Sequence, residues 1–593
     1  MRSRRVALTG LAVAAISFAS ACGGGGEHTP PPVISVSISG TNSQTIEQGQ
    51  SLTITAVVSN DSSGRGVTWA LTGAGALSKQ SSTTVEYDAP ASVESNQAAS
   101  VTATAVADRT KSAADTVTVT YPPVALVQVS ADAYSGGLGQ HATEVEPDTF
   151  ASGSTIVATL QVSRIFGASA MNIGWVTSTD GGATWTSGVL PGITTSAGGI
   201  LDSAGDPVVA YDAAHGQWMI STGGGVDDAN GNVLEGQSFI ARSRDGINWD
   251  DPIAVAPLST DLHDKDWIVC DDTSSSPFYG HCYIQWTTKD ARINTTTSAD
   301  GGLTWQTPLH TGDASKGGSS QPLVQPNGTV ITPMVRNGVD LVSFSSTDGG
   351  ASWSTTTEIS PITDHTVAES LRSLSLPSAE MDAAGTVYIV WHDCRFRTNC
   401  ASNDIVLSTS SDGVNWTTPA RLPIDPVTST VDHFLPSIAV DRTTVGSSAR
   451  LTVLYYYYPV SNCTDCDLYV GFVASDDGGQ TWSAPVVLAG PMKLDWLAQT
   501  GSQGEAQAMI GDYFSVSYVN GNPFAVFAVA KPKSNGVFDE GMYTTVAPMV
   551  PAAGSVRFSS RGEKPVPNAK SDHPPRREEE PHSSRRAAFR LRR

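Results

Sequence analysis

The chain has 593 residues, a net charge of −22, 39% hydrophobic residues and seven cysteines. It is long enough for more than one domain, and its hydrophobic content supports buried cores. The acidic balance argues against nucleic acid or an anionic membrane as partner. That balance is uneven: from Arg557 onward stand 11 Lys/Arg against 5 Asp/Glu (+6), so the rest carries −28.

The chain opens with Met1-Arg-Ser-Arg-Arg5 and the apolar run Val6–Phe18, the charge and hydropathy pattern of a secretory signal, too short to span a bilayer. It continues Ala19-Ser-Ala-Cys22, then Gly23–Gly26. This resembles a bacterial lipobox, which implies a signal over 1–21, lipid on Cys22 and anchoring to a membrane or cell surface. The other reading is ordinary cleavage after Ala21. Residues 22–32, rich in Gly and Pro, read as a tether.

Residues 33–122 hold short runs of alternating polarity, among them Val33–Ile38, Leu52–Val58, Val67–Leu71 and Val101–Val106, with Gly/Ser/Asn turns between them. The pattern predicts a small antiparallel sandwich. It is similar to bacterial Ig-like domains, which implies a spacer, with Trp69 a core residue or a weak carbohydrate platform. Pro122-Pro123 marks its end.

Beyond it one motif recurs six times: Ser178-Thr-Asp180-Gly-Gly-Ala-Thr-Trp185, its copies on Asp300, Asp348 and Asp477, and two one-residue-shorter copies on Asp245 and Asp412. The steps between these aspartates are 65, 55, 48, 64 and 65 residues, a period suited to the blades of a propeller. Ser and Asp side chains can satisfy a turn's backbone N–H groups, Gly supplies positive φ, and Trp is a plate for the joint between blades. S-x-D-x-G-x-[ST]-W is the Asp box, so residues of about 140–550 resemble the sialidase (neuraminidase) superfamily of BNR-repeat proteins. There the box is structural and lies away from the active face. The expected fold is all-β: a propeller over 123–550 behind the Ig-like sandwich, with a disordered basic tail over 551–593. Inner strands expected near Glu146, Asp206, Asp264, Gln321, Leu376, Leu435 and Gly511 favour seven blades over six. The seventh would borrow its outer strand from Ala125–Val129.

With Cys22 set aside, six cysteines form three local pairs, Cys270/Cys282, Cys394/Cys400 and Cys463/Cys466, which read as disulfides in an exported chain. Cys463-Thr-Asp-Cys466 also has the spacing of half a metal site, but no second pair matches it. Asp228, Asn230, Asn232 and Glu235 offer oxygen ligands at the spacing of a Ca²⁺ loop, against a plain solvated loop. No other cofactor is indicated.

In a four-stranded blade, the starts of inner strands and the loops joining second and third strands share the face opposite the Asp boxes. Carboxylates and guanidiniums meet there. The sialidase resemblance implies three arginines on the substrate carboxylate, a Tyr nucleophile activated by Glu, and an Asp acid/base. Topology and residue type put Arg164, Arg336 and Arg395 in the clamp with Arg372 as substitute, Tyr513 with Glu505 as nucleophile pair, and Asp266 or Asp393 as acid/base. The family's Arg-Ile-Pro signature is missing; Arg164-Ile165-Phe166 is the nearest string. Two functions follow: an exported exo-α-sialidase-type glycoside hydrolase, or a non-catalytic propeller that binds glycans, glycoproteins or other proteins. In either case the protein would be a monomer that touches a membrane only through its lipid.

Overall fold

The computed structural model describes residues 33–40, 43–47, 51–90, 93, 96–120, 124–167, 169–227, 233–261, 263–501, 506–550, 557–559 and 563–566. The chain separates into two units at Pro122/Pro123. Cys22, the signal and the tether lie outside the described residues. Among the described residues no helix is long and apolar enough to cross a membrane.

In the first unit, one sheet orders Ser35–Ile38, Ser51–Ser59, Thr84–Asp88 and Ala76–Ser78; the other orders Ser43–Glu47, Ser112–Thr120, Gln97–Ala105 and Val67–Gly73. Alternation sends Ile54, Val85, Tyr87, Val101 and Val117 into one shared core. Trp69 packs at the margin of that core, its indole N–H donating to Ser81 O at 3.0 Å.

The second unit is an all-β propeller built from successive antiparallel groups. The first is Gly139–Ser152, Thr155–Ile165, Ala170–Ser178 and Thr186–Val189; the next is Ser203–Asp212, Gln217–Asp227, Val233–Ser243 and Ile253–Ala254. Further groups start at Asp264–Cys270, Leu323–Val324, Ser378–Met381 and Asp432–Val440. The last runs Ser515–Val519, Asn522–Ala530 and Glu540–Thr545, and takes Leu126–Gln128 as its outer strand, Tyr543 opposite Gln128. The two ends of the unit are thereby joined, which removes an open sheet edge. Asp148, Val209, Ile268, Leu323, Ser378, Ile438 and Ser515, one from each innermost strand, line a single central channel.

The Asp boxes turn between third and fourth strands. Asp180 accepts from Thr184 N at 2.9 Å and Thr184 Oγ1 at 2.6 Å, Ser178 Oγ accepts from Gly182 N at 2.9 Å, and the Trp185 indole donates to Gly182 O at 3.1 Å. In the shorter copies Asn replaces the hydroxyl residue: Asn248 Nδ2 donates to Asp245 at 2.7 Å and Asn415 Nδ2 to Asp412 at 2.8 Å. Trp482, fully buried, packs with Leu407 and Leu451. Three disulfides, Cys270–Cys282, Cys394–Cys400 and Cys463–Cys466, each close a short loop.

Part of the segment expected to be a disordered tail is instead ordered against the propeller. Arg557–Ser559 pairs antiparallel with Thr481–Ser483, placing Phe558 opposite Trp482. Farther on, Glu563 bonds Arg421 at 3.2 Å and Val566 N donates to Arg395 O at 2.8 Å. The polar composition of the tail concealed a strand whose backbone groups complete an exposed edge.

Candidate functional site

The innermost strands begin irregularly, and that irregularity builds the site. Register shifts fall between Val145 and Asp148, Gly205 and Val208, Asp264 and Trp267, and Phe434 and Ser437. Each bulge holds a non-glycine residue at positive φ: Glu146 (55°), Asp206 (49°), Lys265 (56°) and Leu435 (47°). Left-handed backbone costs such residues about 1 kcal/mol or more, and bulges re-aim side chains. Three of the four residues so placed are charged. Gly511, at φ 119°, lets the last inner strand approach the first, since a Cβ there would stand 2.9 Å from Glu146 N.

Around the axis these bulges gather Glu146, Asp206, Asp264, Lys265 and Asp512 with Arg164, Arg372 and Tyr513. Arg372 grips Asp512 with two hydrogen bonds of 2.7 Å. The Arg372 guanidinium holds Asp512 down at about 2, against the upward push of burial. Glu146 takes the opposite course. Burial first, then Asp206 and Asp512, raise it to about 7, and its carboxyl is bonded by Gln161 Nε2. Asp264 is pushed well above the carboxylate range by burial, by the charge of Asp206 and by a hydrogen bond between the two carboxyl groups. Lys265 N donates to Asp206 Oδ2 at 3.0 Å.

Arg164 is buried, donating to Gln161 Oε1 at 2.7 Å and Thr500 Oγ1 at 3.1 Å, and it feels the Arg372 charge. Tyr513 donates its hydroxyl to Pro207 O at 3.1 Å, while its ring carries the Lys265 ammonium 3.8 Å from its centroid and meets Trp267 edge-on at 5.5 Å. Burial, then Glu146, Asp206, Asp148 and Asp512, push the Tyr513 hydroxyl well above its ordinary pKa. Asp266 is fully buried, and burial raises it to about 8.

Of the residues expected in the clamp, Arg164 and the substitute Arg372 lie near enough for their charges to oppose each other, while Arg336 and Arg395 are each held by an acidic neighbour. Arg336 is drawn to Asp340 at 3.2 Å across its own hairpin, because the turn sets the two side chains opposite each other. Arg395 is forked onto Asp393 at 2.8 and 2.6 Å and donates to Pro361 O. Asp393, fully buried, also accepts from Trp391 Nε1 at 3.1 Å and Thr363 N at 3.2 Å. Glu505 lies outside the described residues, as do Asp228, Asn230 and Asn232 of the candidate Ca²⁺ loop; Glu235 is described, paired opposite Val226. Lys265 had no role in the sequence reading. The signal that could have found it is its place between Asp264 and Asp266 where its neighbours carry Glu146-Pro147 and Asp206-Pro207.

A second cluster lies in the next groups. Arg397 and Arg421 share Asp404 and Asp425, with Nε–O distances of 2.9 and 2.7 Å to Asp404. Asp404, Asp425 and His433 have ligand atoms within 4.8 Å of one another. The two buried guanidiniums already balance both carboxylates, so this grouping is a structural ion network and does not need a metal.

No known family's sequence profile matches the chain, and no curated relative matches it. Solved structures that resemble it include a protein of unknown function from Dyadobacter fermentans, 13% identical, covering 60% of this chain and 99% of that one at a TM-score of 0.38. An ulvan lyase, a polysaccharide lyase bound to -[GlcA(1-4)Rha3S]-, is 13% identical over 73% of this chain and 98% of its own, TM-score 0.42. The intramolecular trans-sialidase from Ruminococcus gnavus, in complex with oseltamivir carboxylate, is 14% identical over 66% and 91%, TM-score 0.33. At these scores they transfer no residue roles.

Proposed function

We propose that this is an exported, glycan-acting propeller of seven blades, a glycoside hydrolase whose site is the axial cluster. The observation that carries the reading is the convergence, on bulged inner strands, of carboxyl groups held in opposite protonation states. Asp264 keeps its proton while Asp512 is ionised beside Arg372. Pairs of carboxyls driven apart in this way are the working parts of glycoside hydrolysis. Asp264 donates its proton to the leaving oxygen as the glycosidic bond breaks, Asp512 faces the positive charge that develops on the sugar, and a water adds to the anomeric carbon and returns a proton to Asp264. Asp206, hydrogen-bonded to Asp264, keeps that proton in place. Export, with lipid on Cys22 and an Ig-like spacer, accords with the three disulfides.

Within this reading, exo-α-sialidase chemistry would use Tyr513 as nucleophile. Its hydroxyl is committed to Pro207 O and its proton is held by surrounding carboxylates, so the two-carboxylate route is preferred. The second reading, a non-catalytic glycan- or protein-binding propeller, is favoured by the full commitment of Arg372, Arg395 and Arg336 to acidic partners. The test is turnover of 4-methylumbelliferyl glycosides, the sialoside among them, by the full chain beside Asp264→Asn and Asp512→Asn. Turnover reduced at least 100-fold in both variants supports the hydrolase; turnover unchanged in both moves the chemistry elsewhere. A folded chain that turns over nothing yet retains glycans on an array is the binding propeller.

A further inference from the structure

Beneath the axial carboxylates lies a narrow pocket lined by Lys265, Trp267, Gln321, Asp512 and Tyr513, with room for a group about the size of a hydroxyl. Lys265 Nζ is buried there. It stands 3.8 Å from the Tyr513 ring centroid and 3.9 Å from Asp206 Oδ1, and among the described residues none of its N–H groups has a hydrogen-bond acceptor. A buried ammonium with its donors unmet is costly, and a strained left-handed residue on a bulge holds this one in place. Asp206 and Asp512 offer acceptor oxygens beside it, so the site pairs an unfilled donor with neighbouring acceptors. That combination matches a hydroxyl group, which accepts through its oxygen and donates through its hydrogen.

The charges decide against an acidic ligand. Lys265 faces Asp206, and Asp512 lines the same pocket, while Arg372 is already taken by Asp512. A ligand carboxylate placed at Lys265 would stand beside both of these acidic side chains. A hydroxyl adds none, and the Trp267 and Tyr513 rings offer an apolar wall to the C–H face of a sugar.

Resting on the glycan-acting reading above, we propose that the Lys265 pocket reads a hydroxyl of an uncharged sugar, making the substrate a neutral glycan. Lys265 Nζ donates to the hydroxyl oxygen, and Asp206 or Asp512 accepts the hydroxyl hydrogen. A site built this way strongly rejects the analogue that lacks the hydroxyl, because its buried donor is then left unpaired.

The experiment measures the full chain against a glycan array and 4-methylumbelliferyl glycosides of both classes: neutral (galactoside, glucoside, fucoside, N-acetylhexosaminide) and acidic (sialoside, glucuronide). Lys265→Met and Lys265→Gln run alongside, with melting curves to show that each variant folds. Engagement of a neutral sugar that falls about 10- to 100-fold in Lys265→Met, and less in Lys265→Gln, which keeps a donor, supports the proposal. Should Lys265→Met not fold, a loss in Lys265→Gln with binding of the matching deoxy sugar unchanged gives the same support. Engagement of acidic glycans alone overturns the neutral assignment and leaves the glycan reading standing. A neutral ligand whose binding ignores folded variants at Lys265 overturns the pocket. A folded chain that engages no glycan overturns both.

Discussion

Replacing Arg372 by Met removes the guanidinium that grips Asp512 through two 2.7 Å bonds, with the two side chains only 12% and 8% exposed. Asp512 is held at about 2 against an ordinary 3.8. At about 1.4 kcal/mol per pKa unit, that depression corresponds to about 2–3 kcal/mol. Removing one member of a buried pair costs about 3–5 kcal/mol, so the two routes meet near 3. A propeller of roughly 430 residues has an unfolding entropy of about 0.9 kcal/mol per kelvin, so the melting temperature should fall by about 3 K at pH 6. Because the Asp512 contribution is present above the ordinary carboxylate pKa and is lost as pH falls through about 2, the gap between parent and variant should narrow towards pH 3. The assay is calorimetry from pH 3 to 7 on the parent, Arg372→Met, Asp512→Leu, and the double variant Arg372→Met, Asp512→Leu. Loss of both partners removes equal and opposite charges and does not strand the Asp512 carboxylate, so the double variant should recover most of the stability. A single variant that melts with the parent, or a double variant that loses the sum of two single losses, refutes the reasoning.

Several carboxyls are raised in the folded chain: Glu144, Glu146 and Asp148 to about 7 and Asp266 to about 8, burial being the leading cause in each. The folded state keeps protons that the unfolded chain releases above about pH 4, so each adds stability at low pH that is lost as pH rises through its folded value. Melting temperature should therefore decline from pH 5 to 8, and Asp266→Asn should flatten the decline. Trp482→Ala empties a fully buried site and should cost about 3–5 kcal/mol, while Asp477→Ala, which loses bonds to Thr481 N and Oγ1, should cost about 1–2; denaturant melts measure both, with glycan engagement unaltered. Deleting residues 557–593 removes the Phe558–Trp482 pairing and the Glu563–Arg421 contact and should lower the melting temperature measurably. An unchanged melt would show that this segment contributes nothing to the propeller.

The sequence by itself determined the repeating turn. Ser, Asp, Gly and Trp at fixed offsets are a local solution, since the bonds of the Ser178 and Asp180 side chains and of the Trp185 indole all close within four residues. The short cysteine loops are local in the same sense, and the donated outer strand Leu126–Gln128 followed from one blade lacking its own. The charged residues at the starts of the inner strands were also visible as types. Their partners were not. Arg372 meets Asp512 across 140 residues, and Gln161 reaches Arg164 across a break in the strand's alternation at Ser163, held at φ 60°. Arg336 and Arg395 look equally available in sequence, yet nearby acids claim them first, since a short-range pair forms at little loop-closure cost. The protonation of Asp264 arises from burial beside the Asp206 carboxyl on a different strand, and the unmet donors of Lys265 from burial in the same cluster, and only the closed ring of blades brings those strands together.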